Sequence, residues 1–234
     1  MKEEKRRLIA SISISAAIIA VMWVVKAVEM IANISVAFLG ILPIQARGIP
    51  GILFSPLIHA DLAHLTANSA PFFVLAAALF YYYKSDAIRI LIYSWLITGL
   101  WVWLFARGNG VHIGASGVVY ALAAFHFVSG VIRREPRLMA FSLLVTFLYG
   151  SLVWGFFPEF FPEKHISWES HLMGFLAGTI LAFFFKGSGP QPKVYVWPEE
   201  DEEETPEWYK EDSTAPPLPG ATTSTADDNK LNIS

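Results

Sequence analysis

The chain has 234 residues, of which 54% are hydrophobic and only 16% charged, against roughly 25% charged in an ordinary soluble domain. One globular domain of that composition would have too little polar surface to cover itself. Long apolar runs are therefore expected, while whole-chain disorder and a nucleic-acid binder built on excess positive charge are excluded; the absence of Cys excludes a disulfide framework, a thiol nucleophile and Cys-ligated metal.

A helix needs about 20 mostly apolar residues to cross a bilayer. Six segments qualify: 8–25, 65–83, 87–106, 113–132, 138–157 and 168–185. They predict an all-α membrane protein with a basic N-terminus (1–7), a six-helix membrane domain (8–186) and a tail (187–234). The first segment follows Lys2, Lys5, Arg6 and Arg7 like the start of a signal peptide. Its apolar run is long for one, however, and no small-residue cleavage site follows, so an uncleaved first span is expected. The later links are short and imply antiparallel neighbours. The net charge of −3 averages two unlike parts, since residues 1–186 carry 14 Lys/Arg and 9 Asp/Glu, whereas 187–234 carry 3 Lys and 11 acids. The tail opens with Gly187-Ser188-Gly189-Pro190 and contains the acidic run 199–204. It cannot bury enough apolar surface to offset its ordering entropy, so a disordered acidic cytoplasmic tail is expected. Trp197, Trp208 and Tyr209 read as part of it, with a short docking motif as the alternative.

A further apolar stretch, 28–44, is ambiguous by hydropathy, and charge decides it. With six spans, one side holds Lys2, Lys5, Arg6, Arg7, Lys84, Arg89, Arg133, Arg134, Arg137 and Lys186. The other holds Lys26, Arg47, Arg107 and Lys164, a bias of ten to four that puts both termini in the cytoplasm. Residues 28–58 are then a long external loop, part of it lying in the membrane interface. Pro43, Gly48, Pro50, Gly51 and Pro56 would break a helix there.

Polar side chains inside spans are costly and mark function more often than chance. Asn68, Ser116 and His171 lie near the starts of the second, fourth and sixth spans. All even-numbered spans begin on the external side, so the three residues share a shallow depth in the outer leaflet and are free to converge. Ser116 sits in Gly114-Ala115-Ser116-Gly117, after Gly108-Asn109-Gly110. The glycines allow close backbone approach, and a helix start leaves amide N–H groups free to stabilise negative charge, which suits a serine nucleophile. Taken alone, the motif reads more readily as small-residue packing of membrane helices. Gly174 and Gly178 follow His171 and flatten one helix face; a close-packed fourth span would bring the imidazole to Ser116. Glu169 is two residues from His171, so the two side chains point apart on a helix. His64 and Asn68 are four apart and share a face. A metal site of His59, Asp61 and His64 lacks a clear further ligand, and no metal or cofactor is expected. Neither His-Glu-x-x-His nor Gly-x-Gly-Asp occurs, which argues against zinc and aspartyl membrane proteases. His126 reads as core, and His112 and His165 read as solvated loop residues.

Together, His59-x4-His64-x3-Asn68, Gly114-Ala-Ser116-Gly117-Val-Val-Tyr120 and His171-x2-Gly174-x3-Gly178 resemble the rhomboid family of intramembrane serine proteases, over about residues 8–186. The resemblance implies a six-helix bundle with a Ser116–His171 dyad and no acidic third member. It also implies an oxyanion hole of the Ser116 N–H with the His64 and Asn68 side chains, Tyr120 packed on the catalytic imidazole, and a structural His59. Substrate entry would lie beside the fifth span, rich in aromatics (Phe141, Phe147, Trp154, Phe156, Phe157). Many rhomboids carry a Trp-Arg pair in the first external loop; here residues 28–58 have no Trp, and Arg47 stands alone. The expected partners are transmembrane segments of single-pass or polytopic membrane proteins, within the lipid bilayer of the cell membrane, and not nucleic acid. The rival readings are a catalytically inactive rhomboid-like binder, which would be expected to lack Ser116 or His171, a transporter or proton channel, which would want ionisable groups deeper in the spans, and a purely structural membrane protein.

Overall fold

In the computed structural model of the chain, α1 (Lys2–Ala32) is a 31-residue helix. At 1.5 Å per residue it is longer than a bilayer core is thick. Its charged residues 2–7 precede the apolar run, and Lys26 and Glu29 follow it. The description covers residues 2–108, 110–148 and 167–191. The second half of the fifth predicted span (with Trp154, Phe156 and Phe157), Lys164, His165 and the tail beyond 191 lie outside it.

Among the described residues the other α-helices are α2 (Gly51–Phe54), α3 (Leu62–Tyr83), α4 (Ala87–Phe105), α5 (Ser116–Arg133), α6 (Pro136–Leu148) and α7 (Trp168–Phe184). Among the described residues the extended pairing is one isolated bridge, Ile41 with His112, so the fold is all-α. Three helical stretches among the described residues are long and apolar enough to cross a membrane: Lys2–Ala32, Leu62–Phe105 and Ser116–Arg133. The second is 44 residues long and is broken by a 3-10 turn at Lys84–Asp86 into α3 and α4, of 22 and 19 residues.

Helix α5 is the central element: 72% of its apolar window is buried, against 17% for α1. A helix apolar all round belongs inside a bundle. Its Val118, Leu122 and Phe125 pack with Leu65, Phe72, Leu75 and Leu79 of α3, Ile90 of α4 and Leu181 of α7. His126, the core histidine, is fully buried with Nε2 3.1 Å from the Leu75 carbonyl oxygen.

Contacts fix the helix directions. His64 of α3 lies against Gly114, just before α5, and Tyr83 at the other end of α3 packs on Phe125. Gly174 and Gly178 of α7 meet Gly117 and Ala121 of α5 in order. Helices α3, α5 and α7 therefore run the same way. The others run opposite. Trp23 Nε1 of α1 donates to Ser69 Oγ (3.1 Å), and further along α1 Lys26 Nζ donates back to the His59 and Ala60 carbonyls (3.0 and 2.9 Å). Thr98 of α4 lies beside Gly117, while Ser188 Oγ, past the end of α7, donates to Asp86 at the start of α4 (2.7 Å). Ser142 Oγ of α6 donates to the Ala123 carbonyl (2.7 Å), and Met139 packs on Gly130.

The segment expected as an external loop, 28–58, differs at its start. Residues up to Ala32 continue α1, and the chain leaves the helix at Asn33, where φ is 50°. The end of an apolar run does not end a helix when no breaker follows it. Lys26 and Glu29 make the extension tolerable. Lys26 Nζ also contacts Glu29 Oε2 at 3.2 Å, and Glu29 Oε1 accepts from Val36 N–H at 2.8 Å, so the buried Glu29 and the half-buried Lys26 are both partnered. Beyond Ala32 the loop folds along α4. Ile44 N–H donates to the Trp103 carbonyl (2.8 Å), and the indoles of Trp103 and Trp95 donate to the Gln45 and Leu53 carbonyls (2.9 and 3.0 Å). Its Phe38 and Ile44 are 69% and 73% exposed, as suits a loop lying in a membrane interface.

Candidate active site

Asp61 builds the first wall. It is extended (φ −147°) and its carboxylate accepts the His64 N–H at 2.7 Å, which caps α3. That capping bond accounts for Asp61 without a metal. It sets His64 and, one turn on, Asn68. Asn68 is buried, and its Nδ2 donates to the His64 carbonyl at 2.9 Å, leaving its second N–H hydrogen for another acceptor.

The loop before α5 is the second wall. Gly114 has φ 108°, a conformation that L side chains rarely adopt, and a Cβ there would sit 2.6 and 2.7 Å from His64 Cε1 and Nε2. The glycine is required twice over, by backbone geometry and by the ring lying on it. Gly114 N–H donates to the Ser55 carbonyl (2.9 Å), and Ala115 N–H donates to His59 Nε2 (3.3 Å). Ser116 then opens α5 with Ala115 as N-cap, so its N–H lies in the first helical turn, where no intrahelical acceptor exists. Its side chain is half-buried.

His59 is 2% exposed, and its ring stands edge-on to His64 with centroids 5.1 Å apart. Burial is the main cause that pushes its pKa down from 6.5 to about 3, with the neighbouring His64 adding to the effect. The neutral ring accepts the Ala115 N–H. The unfolded chain takes up this proton below about 6.5, whereas the folded chain does so only near 3. This contribution to stability is therefore complete above pH 6.5 and lost as pH falls toward 3. Thermal melting of wild type in detergent should drop across that window, and His59→Gln, which cannot titrate, should show a flatter profile. Parallel profiles would remove His59 as the cause.

Helix α7 supplies the third wall. His171 is 7% exposed, and its Nε2 lies 2.9 Å from Ser116 Oγ. Tyr120, one turn after Ser116, stacks on the imidazole with centroids 4.2 Å apart and planes 14° apart. The approach depends on glycine. A Cβ on Gly174 would lie 2.0 Å from the Gly117 carbonyl oxygen, and one on Gly178 would lie 1.9 Å from that of Ala121.

The structure thus brings together Ser116, His171, Tyr120, Gly117, Gly174 and Gly178 on α5 and α7, and sets His59, His64 and Gly114 beside them. Asn68 is on the same end of α3, and its Nδ2 donates within its own helix.

One residue was misread from sequence. His112, expected to be solvated, is 8% exposed, and its Nδ1 is 2.5 Å from Ser167 Oγ. Burial holds its pKa below the ordinary histidine range, with Glu169 pulling the other way. Its burial comes from Ile41 and Ser167, both distant in sequence. Beside it is a cavity of about 20 Å³, lined by Ser55, Thr98, His112, Gly117 and Ser170, roughly enough for one water.

The Rhomboid domain family matches residues 46–188, a stretch that contains every residue of the three walls. An uncharacterized protein of Mycobacterium tuberculosis is 31% identical over 181 residues, covering 75% of this chain and 75% of its own length. An uncharacterized protein of Mycobacterium leprae is 29% identical over 181 residues, covering 75% and 70%. YdcA of Bacillus subtilis, named provisionally as a rhomboid protease, is 28% identical over 139 residues, covering 54% and 62%. The chain belongs to the rhomboid family.

Proposed function

We propose that this protein is an intramembrane serine endopeptidase that cuts transmembrane segments of membrane proteins near the outer leaflet. The observation that carries the reading is the 2.9 Å contact between His171 Nε2 and Ser116 Oγ, made by a half-buried serine at a helix N-terminus. A nucleophile within hydrogen-bond reach of its base is the geometry that covalent catalysis needs. An inactive binder would have no use for this pairing.

In this mechanism Ser116 Oγ attacks the carbonyl carbon of the scissile peptide while His171 Nε2 takes its proton. The carbonyl oxygen becomes an oxyanion, held by the Ser116 N–H at the start of α5 and by the His64 and Asn68 side chains. The stacked Tyr120 ring limits the motion of the imidazole. His171 then gives its proton to the leaving amine as the C–N bond breaks. A water, for which the cavity beside Gly117 has room, attacks the acyl-enzyme, and His171 takes and returns a proton to release Ser116.

Asn68→Ala removes one oxyanion donor. Turnover should fall by about 10² to 10³ with little change in KM, because the donor matters once charge has developed. Steady-state cleavage in detergent measures this, and a raised KM with unchanged turnover would assign Asn68 to substrate binding instead.

The proposed arrangement in the membrane has six spans with both termini in the cytoplasm, the acidic tail following the last. Its support is the ten-to-four distribution of Lys and Arg. Reporter fusions before residue 8 and after residue 186 should both report a cytoplasmic location; an external signal from either would overturn it. The activity itself is tested by reconstituting the protein in liposomes with a single-pass substrate. Wild type should yield two fragments cut within or beside the transmembrane segment. Folded wild type that leaves every one of a panel of single-pass substrates intact would favour a binding role.

A further inference from the structure

We propose that His112 is a positioning residue that sets the axial register of α7 on α5, and through it the Ser116–His171 contact; its bearing on catalysis rests on the protease reading above. His112 stands four residues before Ser116, and Ser167 stands four residues before His171. The two pairs are bridged in parallel: His112 Nδ1 to Ser167 Oγ at 2.5 Å, and Ser116 Oγ to His171 Nε2 at 2.9 Å. The first bridge ties together the segments from which the two helices start.

Both ends of this tie are stiff. His112 exchanges two backbone hydrogen bonds with Ile41, at 2.8 and 3.0 Å, and between His112 and Ser116 the amide of Gly114 is held by the Ser55 carbonyl. On the other side, Ser167 Oγ is 2.6 Å from Ser170 Oγ, and the Ser167 carbonyl accepts the His171 N–H at 3.3 Å. Displacing Ser167 therefore displaces His171.

The tie has work to do because of how α5 and α7 pack. Gly174 and Gly178 lie directly on the backbone of Gly117 and Ala121. Such a contact fixes the distance between two helices. Ridges and grooves that oppose sliding along the axis come from side chains, and those shown across this contact are Leu181, packed with Val118 and Leu122, and the stacked Tyr120–His171 pair. A hydrogen bond that must reach from one helix to the other does not survive a slide of 1 Å intact, and such a misplacement costs about 10²-fold in rate. At the far ends of the two helices Arg133 of α5 donates to the Phe185 and Ser188 carbonyls; the His112–Ser167 tie supplies the matching constraint at the helix starts, beside Ser116 and His171.

The test combines kinetics with a distance. His112→Ala should lower kcat by about tenfold to 100-fold with KM little changed, at nearly wild-type melting temperature. His112→Asn keeps a polar atom near the Nδ1 position and should restore most of the rate. Ser167→Ala should resemble His112→Ala, and the double variant should be no worse than either, as expected of one interaction. The native chain has no Cys, so spin labels at Val131→Cys on α5 and Phe183→Cys on α7 report register without reference to activity. The inter-label distance should shift or broaden in His112→Ala and recover in His112→Asn. An unchanged distance, or an alanine rate equal to wild type, overturns the proposal. A shifted distance in a protein whose cleavage does not depend on Ser116 would uphold the register tie and remove the protease reading.

Discussion

Gly178→Leu should abolish cleavage although Ser116 and His171 are both unchanged in the sequence. Even the first carbon of a side chain at this position would lie 1.9 Å from the Ala121 carbonyl oxygen. That neighbour is backbone and cannot rotate away, so α7 must move off α5. The displacement would carry His171 well beyond hydrogen-bond reach of Ser116, at a cost of more than about 100-fold in rate. Overpacking also costs roughly 1–3 kcal/mol, so the melting temperature should fall together with activity. Gly174→Leu should behave alike, since its Cβ would meet the Gly117 oxygen at 2.0 Å. Measured rates and melting curves near wild type would mean that the two helices are not in backbone contact.

The reason this face matters could be read before any coordinates. Gly174 and Gly178 recur at the spacing that stacks residues on one side of a helix, and small residues are what let membrane helices approach closely. The matching pair on the partner helix, Gly117 and Ala121, has the same spacing. Likewise, the shared direction of α3, α5 and α7 follows from counting spans, which is why His64, Ser116 and His171 gather at one end. His112 was not legible. A histidine in a glycine-containing loop has no local pattern, and its burial depends on Ile41, 71 positions earlier, and Ser167, 55 positions later. The extension of α1 to Ala32 was missed for a different reason. Hydropathy marks where a helix leaves the hydrocarbon, whereas the helix itself continues until its backbone bonds are interrupted, here at Asn33. Asp61 carried a readable signal, an acid just before an apolar helix, and its cap on His64 N–H is the ordinary use of such a residue.

The larger effect is expected at the dyad. Ser116→Ala and His171→Ala should each eliminate measurable cleavage, and the double variant should be no worse than either. In the proposed mechanism the two groups act as one unit: without the base the hydroxyl is a poor nucleophile, and without the hydroxyl the base has no proton to take. Ser116→Ala should still fold. Ala is a good helix former, and a half-buried hydroxyl at a helix start contributes little to stability. Multiplicative losses in the double variant would instead mean that Ser116 and His171 contribute independently.

Covalent labelling tests the central claim most directly. A serine-directed phosphonate, incubated with detergent-solubilised wild type and followed by peptide mapping, should form a single adduct on Ser116. The same reagent should react far more slowly with His171→Ala, which retains the hydroxyl but lacks the group 2.9 Å away that activates it. No adduct on Ser116 in a wild type that cleaves its substrate, or cleavage by Ser116→Ala with contaminating proteases excluded, would contradict the serine-protease account.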